Sequence, residues 1–324
     1  MRKVHDCKVN TFSKKAKTTI ALISVFCMVF ATVLGVYSAK LLSGFYFGEE
    51  IYLESLDEQD GVGMVNILLL GVDEGGYRSD TIMLASLNGR TGKLNILSIP
   101  RDTRIQIGSY FQKVNAAIGV GYSEVKRGKI KEPEELAVQK IKQLTGLPIH
   151  YFMSVNFDGF KEIIDVLGGV EFNVPFHMKY DDPVQNLHID LKPGLQVLDG
   201  EAAHDFVRFR KGNPGYKGYT MGDLGRIEAQ QAFIRAAIEQ KVNVKNLLKA
   251  NEIFEVVSKY VRTNYTAKDL VRHIGAIGKI DAETVVMHQL PGYPQTIDGV
   301  SYYLCNDREM AELVDTVFNP SADE

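Results

Sequence analysis

"NILLLGVDEGGYRSDTIMLASLNGRTGKLNILSIPRD" runs from Asn66 to Asp102. It contains three apolar runs, residues 66–72, 81–87 and 94–99, each short enough for a buried strand. Asn88-Gly89, within "NGRTGK", is a turn signal, so the second and third runs should form an antiparallel hairpin. If the first two runs also oppose each other, the first strand ends at Asp73 and the second begins just after Asp80. The third then runs back to Pro100-Arg101-Asp102. Five charged residues, Asp73, Arg78, Asp80, Arg101 and Asp102, gather at one end of the sheet.

Downstream, strands and helices alternate. "PEELAVQKIKQLTG" reads as a helix ending near Gly146, "IHYFMSVNF" as a strand, "DGFKEIIDVLGG" as a helix and "VEFNV" as a strand. "GEAAHDFVRFR" begins helical and becomes extended, and "DLGRIEAQQAFIRAAIEQK" is a long helix. Further helical patterns lie near 243–262 and 266–278, followed by a strand in "ETVVMHQL" and a closing helix in "NDREMAELVDTVF". The alternation predicts an α/β sheet covered by helices.

The 324 residues carry a net charge of −3, which argues against bulk electrostatic binding of nucleic acid. Cationic sites must be local. Cys7, Cys27 and Cys305 are odd in number and far apart, so neither a disulfide framework nor a structural zinc site follows. The seven histidines show no ligand-like spacing. From Thr18 to Ala39 there is no charged residue; at roughly 1.5 Å per residue this stretch crosses a bilayer as one helix. Lysines precede it and acidic residues follow, which places the N-terminus in the cytoplasm and the bulk outside. A cleaved signal peptide is the rival, with "VYSA" as its cleavage site, although its apolar region would be shorter. The expected organisation is a basic tail 1–17, a transmembrane signal-anchor 18–39, a linker 40–63 and one domain 64–318.

The charged residues suggest an anion site beside a cation. Two close carboxylates, Asp73 and Asp80, suit Mg²⁺, which takes one or two carboxylates with water and phosphate. The plainer alternative makes Asp73 a turn residue and pairs Asp80 with Arg78 or local backbone. Arg101 has a plain alternative in an ion pair with Asp102. Arg208 and Arg210 flank Phe209, and in an extended segment they would project from one face; a solvated strand face explains them equally. Arg226 lies in the first turn of a helix that Asp223 would cap, where a cation opposes the helix dipole unless an anion sits there. Gln230, one turn on, can face the same way, and a pairing of Arg226 with Glu228 or Asp223 remains open. Guanidinium groups clamp phosphate oxygens, and a carboxylate-held Mg²⁺ can polarise the same diphosphate.

"NILLLGVD", "RSDTIML", "LSIPRDTR", "KVNAA", "VNFDGFKEIIDVLGGVEFNVP", "LDGEAAHDFVRFRKG" and "GDLGRIEAQQ" resemble, in order, the motifs of the LytR-CpsA-Psr family of membrane-anchored envelope proteins. The resemblance covers about residues 64–241. It implies an α/β/α layered domain with a mixed central sheet, acting as a phosphotransferase. The substrate would be an anionic glycopolymer, a teichoic acid or capsular polysaccharide, moved from a polyprenyl-diphosphate carrier to peptidoglycan at the cell membrane. It further implies that Asp73 and Asp80 hold Mg²⁺ (or Mn²⁺), and that Arg78, Arg101, Arg208, Arg210, Arg226 and Gln230 surround the diphosphate. Arg101 or Asp102 would assist proton removal. An apolar slot for the lipid chain would involve helices 157–167 and 227–238. Lys211-Gly212 and the Gly-rich "GNPGYKGYTMG" depart from the family pattern and bear on loop geometry and polymer choice. Two rival functions are a polyprenyl-diphosphate hydrolase and a non-enzymatic lipid-binding regulator.

Overall fold

The computed structural model describes residues 63–183, 187–220, 223–241, 256, 258–277, 279–280 and 282–318. The basic tail, the expected span 18–39 and nearly all of the linker lie outside them. Among the described residues no helix is long and apolar enough to cross a membrane.

The opening stretch forms β1 (Met64–Val72), β2 (Ser79–Asn88) and β3 (Leu94–Ser98), each antiparallel to the next. Leu68 lies opposite Leu84, and Leu84 opposite Leu97; all three are fully buried. The β2–β3 connection is a longer loop than Asn88-Gly89 suggests. Asn88 Oδ1 accepts the N–H groups of Arg90 (2.9 Å) and Thr91 (3.0 Å), and the positive φ falls at Gly92. A small ribbon follows, β4 (Arg104–Ile107) and β5 (Tyr110–Lys113), then α1 (Ala117–Lys126) and α2 (Glu134–Thr145). Gly121 of α1 packs directly on the backbone of Pro133, leaving no room for a Cβ.

β6 (Tyr151–Asn156) lies parallel to β1 and leads into α3 (Phe157–Val166), where the Asn156 side chain accepts the N–H of Gly159 at 2.8 Å. β7 (Val170–Val174) pairs with β10 (Gly194–Leu198), and between them β8 (Met178–Asp182) pairs with β9 (Leu187–Leu191). Next come α4 (Gly200–Arg208) and α5 (Asp223–Lys241). Of the expected helix 243–262, residues 242–255 lie outside the described set, and its end is instead a strand, β11 (Val261–Thr263), antiparallel to β6. α6 (Ala267–Ile277) precedes β12 (Val285–Gln289), which is parallel to β3. β13 (Gly292–Ile297) and β14 (Val300–Cys305) form a second ribbon, and α7 (Asp307–Leu313) continues as a π-helical turn to Phe318.

The main sheet has the order β11-β6-β1-β2-β3-β12 and is mixed. Strand alternation sends Leu68, Ile82, Leu84 and Leu97 to one face, against Ile118, Ile141 and Met310. Ile67, Met83, Ala85 and Ile96 go to the other, against Ile277 and, partly buried, Ile234 and Ile238 of α5. Helices thus cover both faces. A third cluster around Phe206, Phe209 and Phe233 joins α4 and α5 to the β7–β10 segment.

Leu97→Ala should cost about 2–5 kcal/mol through lost transfer energy and an unfilled cavity, read by urea unfolding. A second prediction concerns His273, which is 5% exposed and whose Nδ1 lies 2.7 Å from the Tyr265 hydroxyl. Burial, partly opposed by Asp269, pushes its pKa down to about 4. The unfolded chain takes up that proton near pH 6.5, so this contribution to stability is complete above that pH and is lost as pH falls toward 4. Stability measured across that interval should fall less steeply in His273→Gln than in the parent.

Candidate active site

The two antiparallel pairings place the β1–β2 loop and the start of the segment after β3 at one end of the sheet. Asp73 shapes the loop. Its Oδ1 accepts the N–H groups of Tyr77 (2.8 Å) and Arg78 (3.2 Å), and its own N–H donates to the Arg78 carbonyl at 2.9 Å. The turn role therefore occupies one carboxylate oxygen and leaves the second.

Asp80, the second residue of β2, receives Nη1 of Arg101 on its Oδ1 at 2.6 Å. The plain alternatives taken from sequence both change: Asp80 pairs with Arg101 instead of Arg78, and Arg101 with Asp80 instead of Asp102. Asp102 pairs with Lys113 Nζ at 2.8 Å. The turn between Asp80's partner and β4 is fixed by Thr103, whose hydroxyl and N–H both donate to the Pro100 carbonyl, at 2.6 and 2.9 Å.

Asp80, Arg101, Arg226 and Gln230 line one cleft, with Met83 and Ser98 beneath. Arg226 is 7% exposed and lies in the first turn of α5. A guanidinium held there against the helix dipole is the arrangement that an anion at the helix start would stabilise. The side chain of Asp223, the expected cap, lies outside the described residues. Gln230 donates from Nε2 to the Val207 carbonyl at 2.9 Å, so it ties α5 to the end of α4 as well as lining the cleft. Arg78 lines a separate cleft, facing Gly119, Ser123 and Arg127 of the α1 region.

Arg208 and Arg210 do not share a strand face. Arg208 is the last residue of α4, and the extended backbone begins only at Phe209 (φ −60°, ψ 133°). Side chains two apart align only when both residues are extended, and Arg208 is helical. Phe209 is fully buried and ends the helix by packing among Phe176 and Tyr219, while Arg210 is exposed beyond it. The Arg208 guanidinium lies 4.9 Å over the Phe157 ring, and His204, one helical turn earlier, meets the same ring edge-on at 4.9 Å. A cation at this helix end is favoured by the dipole. Arg208's neighbour Val207 is the residue whose carbonyl Gln230 holds.

Several contributors were not anticipated. Gln231 donates to Ser98 Oγ (2.8 Å) and to the His288 carbonyl (3.2 Å), fastening α5 across β3 and β12; the serine within the apolar run 94–99 was the available signal. Phe157 and His204 had none. Glu201, His204 and Asp205 bring one potential ligand atom each within 4.8 Å, a cluster that the linear spacing of histidines did not suggest, although Lys161 Nζ already lies 3.2 Å from Glu201.

The fold is a mixed α/β sheet that carries the Asp80–Arg101 pair and the buried Arg226 guanidinium at one end of its strands. The chain belongs to the LytR_cpsA_psr family, whose pattern matches residues 48–319. It is 33% identical over 254 residues (76% of this chain, 72% of the relative) to a polyisoprenyl-teichoic acid–peptidoglycan teichoic acid transferase, TagU, of Oceanobacillus iheyensis. It is 27% identical over 253 residues (76% and 75%) to the TagU of the same description in Bacillus subtilis. Among solved structures, B. subtilis TagV aligns at a TM-score of 0.62 with 25% identity, covering 79% of this chain and 96% of that one. A structure of TagT bound to LIIa-WTA shares the fold at a TM-score of 0.62 and 24% identity, over 84% and 96%.

The two parts Asp73 can play are separable. Asp73→Asn keeps an acceptor for the Tyr77 and Arg78 amides and should leave stability nearly unchanged. Asp73→Ala should cost about 1 kcal/mol and raise amide exchange at those two residues, measured by hydrogen–deuterium exchange.

Proposed function

We propose that this protein transfers a phosphate-linked anionic glycopolymer from a polyprenyl-diphosphate carrier to peptidoglycan. The observation that carries the reading is the cleft in which Asp80, Arg101, Arg226 and Gln230 meet. Family membership and the transferase names of relatives support it. A teichoic acid is the favoured polymer, since the relatives are named for it.

In this reading Arg226 and Arg101 hold the diphosphate, with Arg208 at the end of α4 and Arg78 and Arg210 at the margins. Paired N–H donors match phosphate oxygens and neutralise charge that develops on them. A sugar hydroxyl of peptidoglycan attacks the phosphorus joined to the glycopolymer. A new O–P bond forms, the P–O bond to the lipid phosphate breaks, and polyprenyl monophosphate leaves with the electron pair. The hydroxyl proton passes to a nearby carboxylate, for which Asp102 is the candidate. Asp73 and Asp80 each commit Oδ1 to a protein partner. Each retains a second oxygen, a donor set that fits Mg²⁺ (or Mn²⁺), which would supply further charge neutralisation. The uncharged stretch 18–39 and its lysine-rich upstream flank favour a single-span protein with the domain outside the cell membrane.

The full-length protein should convert a lipid-diphosphate-linked glycan and a peptidoglycan oligosaccharide into a phosphodiester-linked product in the presence of Mg²⁺. Arg226→Ala should lower transfer about 10–100-fold, the equivalent of roughly 1.5–3 kcal/mol for a charge-assisted contact. Both Asp73→Asn and Asp73→Ala should lose the Mg²⁺ response. Phosphate release to water that peptidoglycan does not divert would instead make the protein a hydrolase. Binding of the lipid without turnover would make it a lipid-binding regulator.

A further inference from the structure

The cleft is reached from two sides of the sheet, and only one side is accounted for by the arginines. α5 packs through Ile234 and Ile238 on the face that carries Met83 and Ala85. Arg226 and Gln230 therefore come from that side, together with the end of α4. The two ribbons sit on the opposite side. Ile105 of β4, Val114 just after β5 and Tyr303 of β14 are buried in the cluster of Leu84 and Leu97. β12 is parallel to β3, so the β13–β14 ribbon emerges at the same sheet end as Arg101.

Strand alternation settles what these ribbons turn outward. Ile105 faces the core, so its neighbours Arg104 and Gln106 face away, with their cross-strand partners Lys113 and Phe111. Tyr303 faces the core, so Tyr302 and, through the Tyr293↔Leu304 pairing, Tyr293 face away as well. The two outward faces are one surface. Thr103 bridges Tyr303, the Tyr303 N–H donates to the Asp102 carbonyl at 3.0 Å, and the Arg104 guanidinium lies 3.5 Å over Phe111 and 5.7 Å from Tyr302. Phe111 is 49% and Tyr293 54% exposed. Nε of Arg104 finds no acceptor among the described residues. Lys113 on the same face carries Asp102 to its edge.

We infer that this outward face is the binding surface for the acceptor, a glycan strand bearing carboxylates; the inference rests on the transferase reading above. A pleated face with spaced aromatic rings, amides and cations suits a polysaccharide. The C–H faces of sugar rings lie against the electron-rich aromatic faces, Gln106 supplies donors and acceptors, and Arg104 meets an anionic substituent such as the carboxylate of a peptide stem. An acceptor that runs from Phe111 past Tyr293 to Tyr302 reaches the Asp102 segment, whose carbonyl accepts the Tyr303 N–H, one residue from the Arg101–Asp80 pair. Donor and acceptor thus approach from opposite sides of one sheet.

The test uses the full-length protein in detergent, a soluble uncrosslinked peptidoglycan oligosaccharide, and the double variant Phe111→Ser/Tyr302→Ser, with Arg104→Gln as a single change on the exposed face. Transfer kinetics should show an acceptor KM raised at least tenfold, with a donor KM within about twofold of the parent. Calorimetry should show direct oligosaccharide binding to the parent, weakened in both variants. Unchanged acceptor KM and unchanged oligosaccharide binding would overturn the inference, as would a rise confined to the donor KM. If the parent handles no lipid-diphosphate donor, the transferase reading fails, and the calorimetric comparison still decides whether these ribbons bind the glycan.

Discussion

Everything at the working end of this domain depends on one constraint: β1, β2 and β3 reverse direction twice. The reversal brings Asp80 at the start of β2 beside Arg101 beyond the end of β3, residues that lie 21 apart in sequence. Their 2.6 Å pair is one-quarter to one-third exposed, so its worth to stability is small. Its worth to geometry is larger. It fixes the Arg101 guanidinium at the end of the sheet, where α5 delivers Arg226. Slipping the β1–β2 register by one residue would turn Leu68, Leu70 and Leu84 away from their core and scatter these charges, which is why the apolar pattern specifies the site as well as the sheet.

The sheet centre was legible because its strands are buried on both faces and read as continuous apolar runs. The meeting of Asp80 and Arg101 followed from it, with Asp73 in the loop at the same sheet end. What stayed hidden depended on packing. The end of α4 is set by Phe209 burying itself in an aromatic cluster, and no local signal separates a helical Arg208 from an extended one; the two arginines were read as neighbours for that reason. Other features were present in the sequence but unused. Leu187, Ile189 and Leu191 alternate with exposed His188 and Asp190 in strict strand period. Asp298-Gly299, both at positive φ, is a hairpin turn signal of the kind that was read at Asn88-Gly89. The β13–β14 ribbon beside the cleft was thus readable in principle, and the outward face it shares with β4–β5 was not, since it depends on Arg104 lying across both.

In the proposed transfer the two faces of the sheet would divide the work on physical grounds. α4 and α5 offer helix termini and the buried Arg226 guanidinium, which would suit a compact, highly charged diphosphate. The ribbons offer a shallow pleated face with long side chains, suited to an extended polymer. Gln231 links α5 to the sheet through Ser98 and His288, and Gln230 ties α5 to α4 through the Val207 carbonyl. The backbone contact between Asp102 and Tyr303 links the ribbons to the sheet end. Each half is fastened to the sheet end independently, so either could change with its substrate without rebuilding the other.

The short edge of the sheet carries a different consequence. β11 is three residues long and is held against β6, while Arg262 within it reaches Glu132 and, at 3.3 Å, the buried Glu134 ahead of and within α2. A long, flat, apolar border would invite a neighbouring copy to add its own strand. Here the border offers little length to pair with, and it is marked by a charge already committed elsewhere. Along this border the sheet is therefore poorly suited to grow from one molecule into the next.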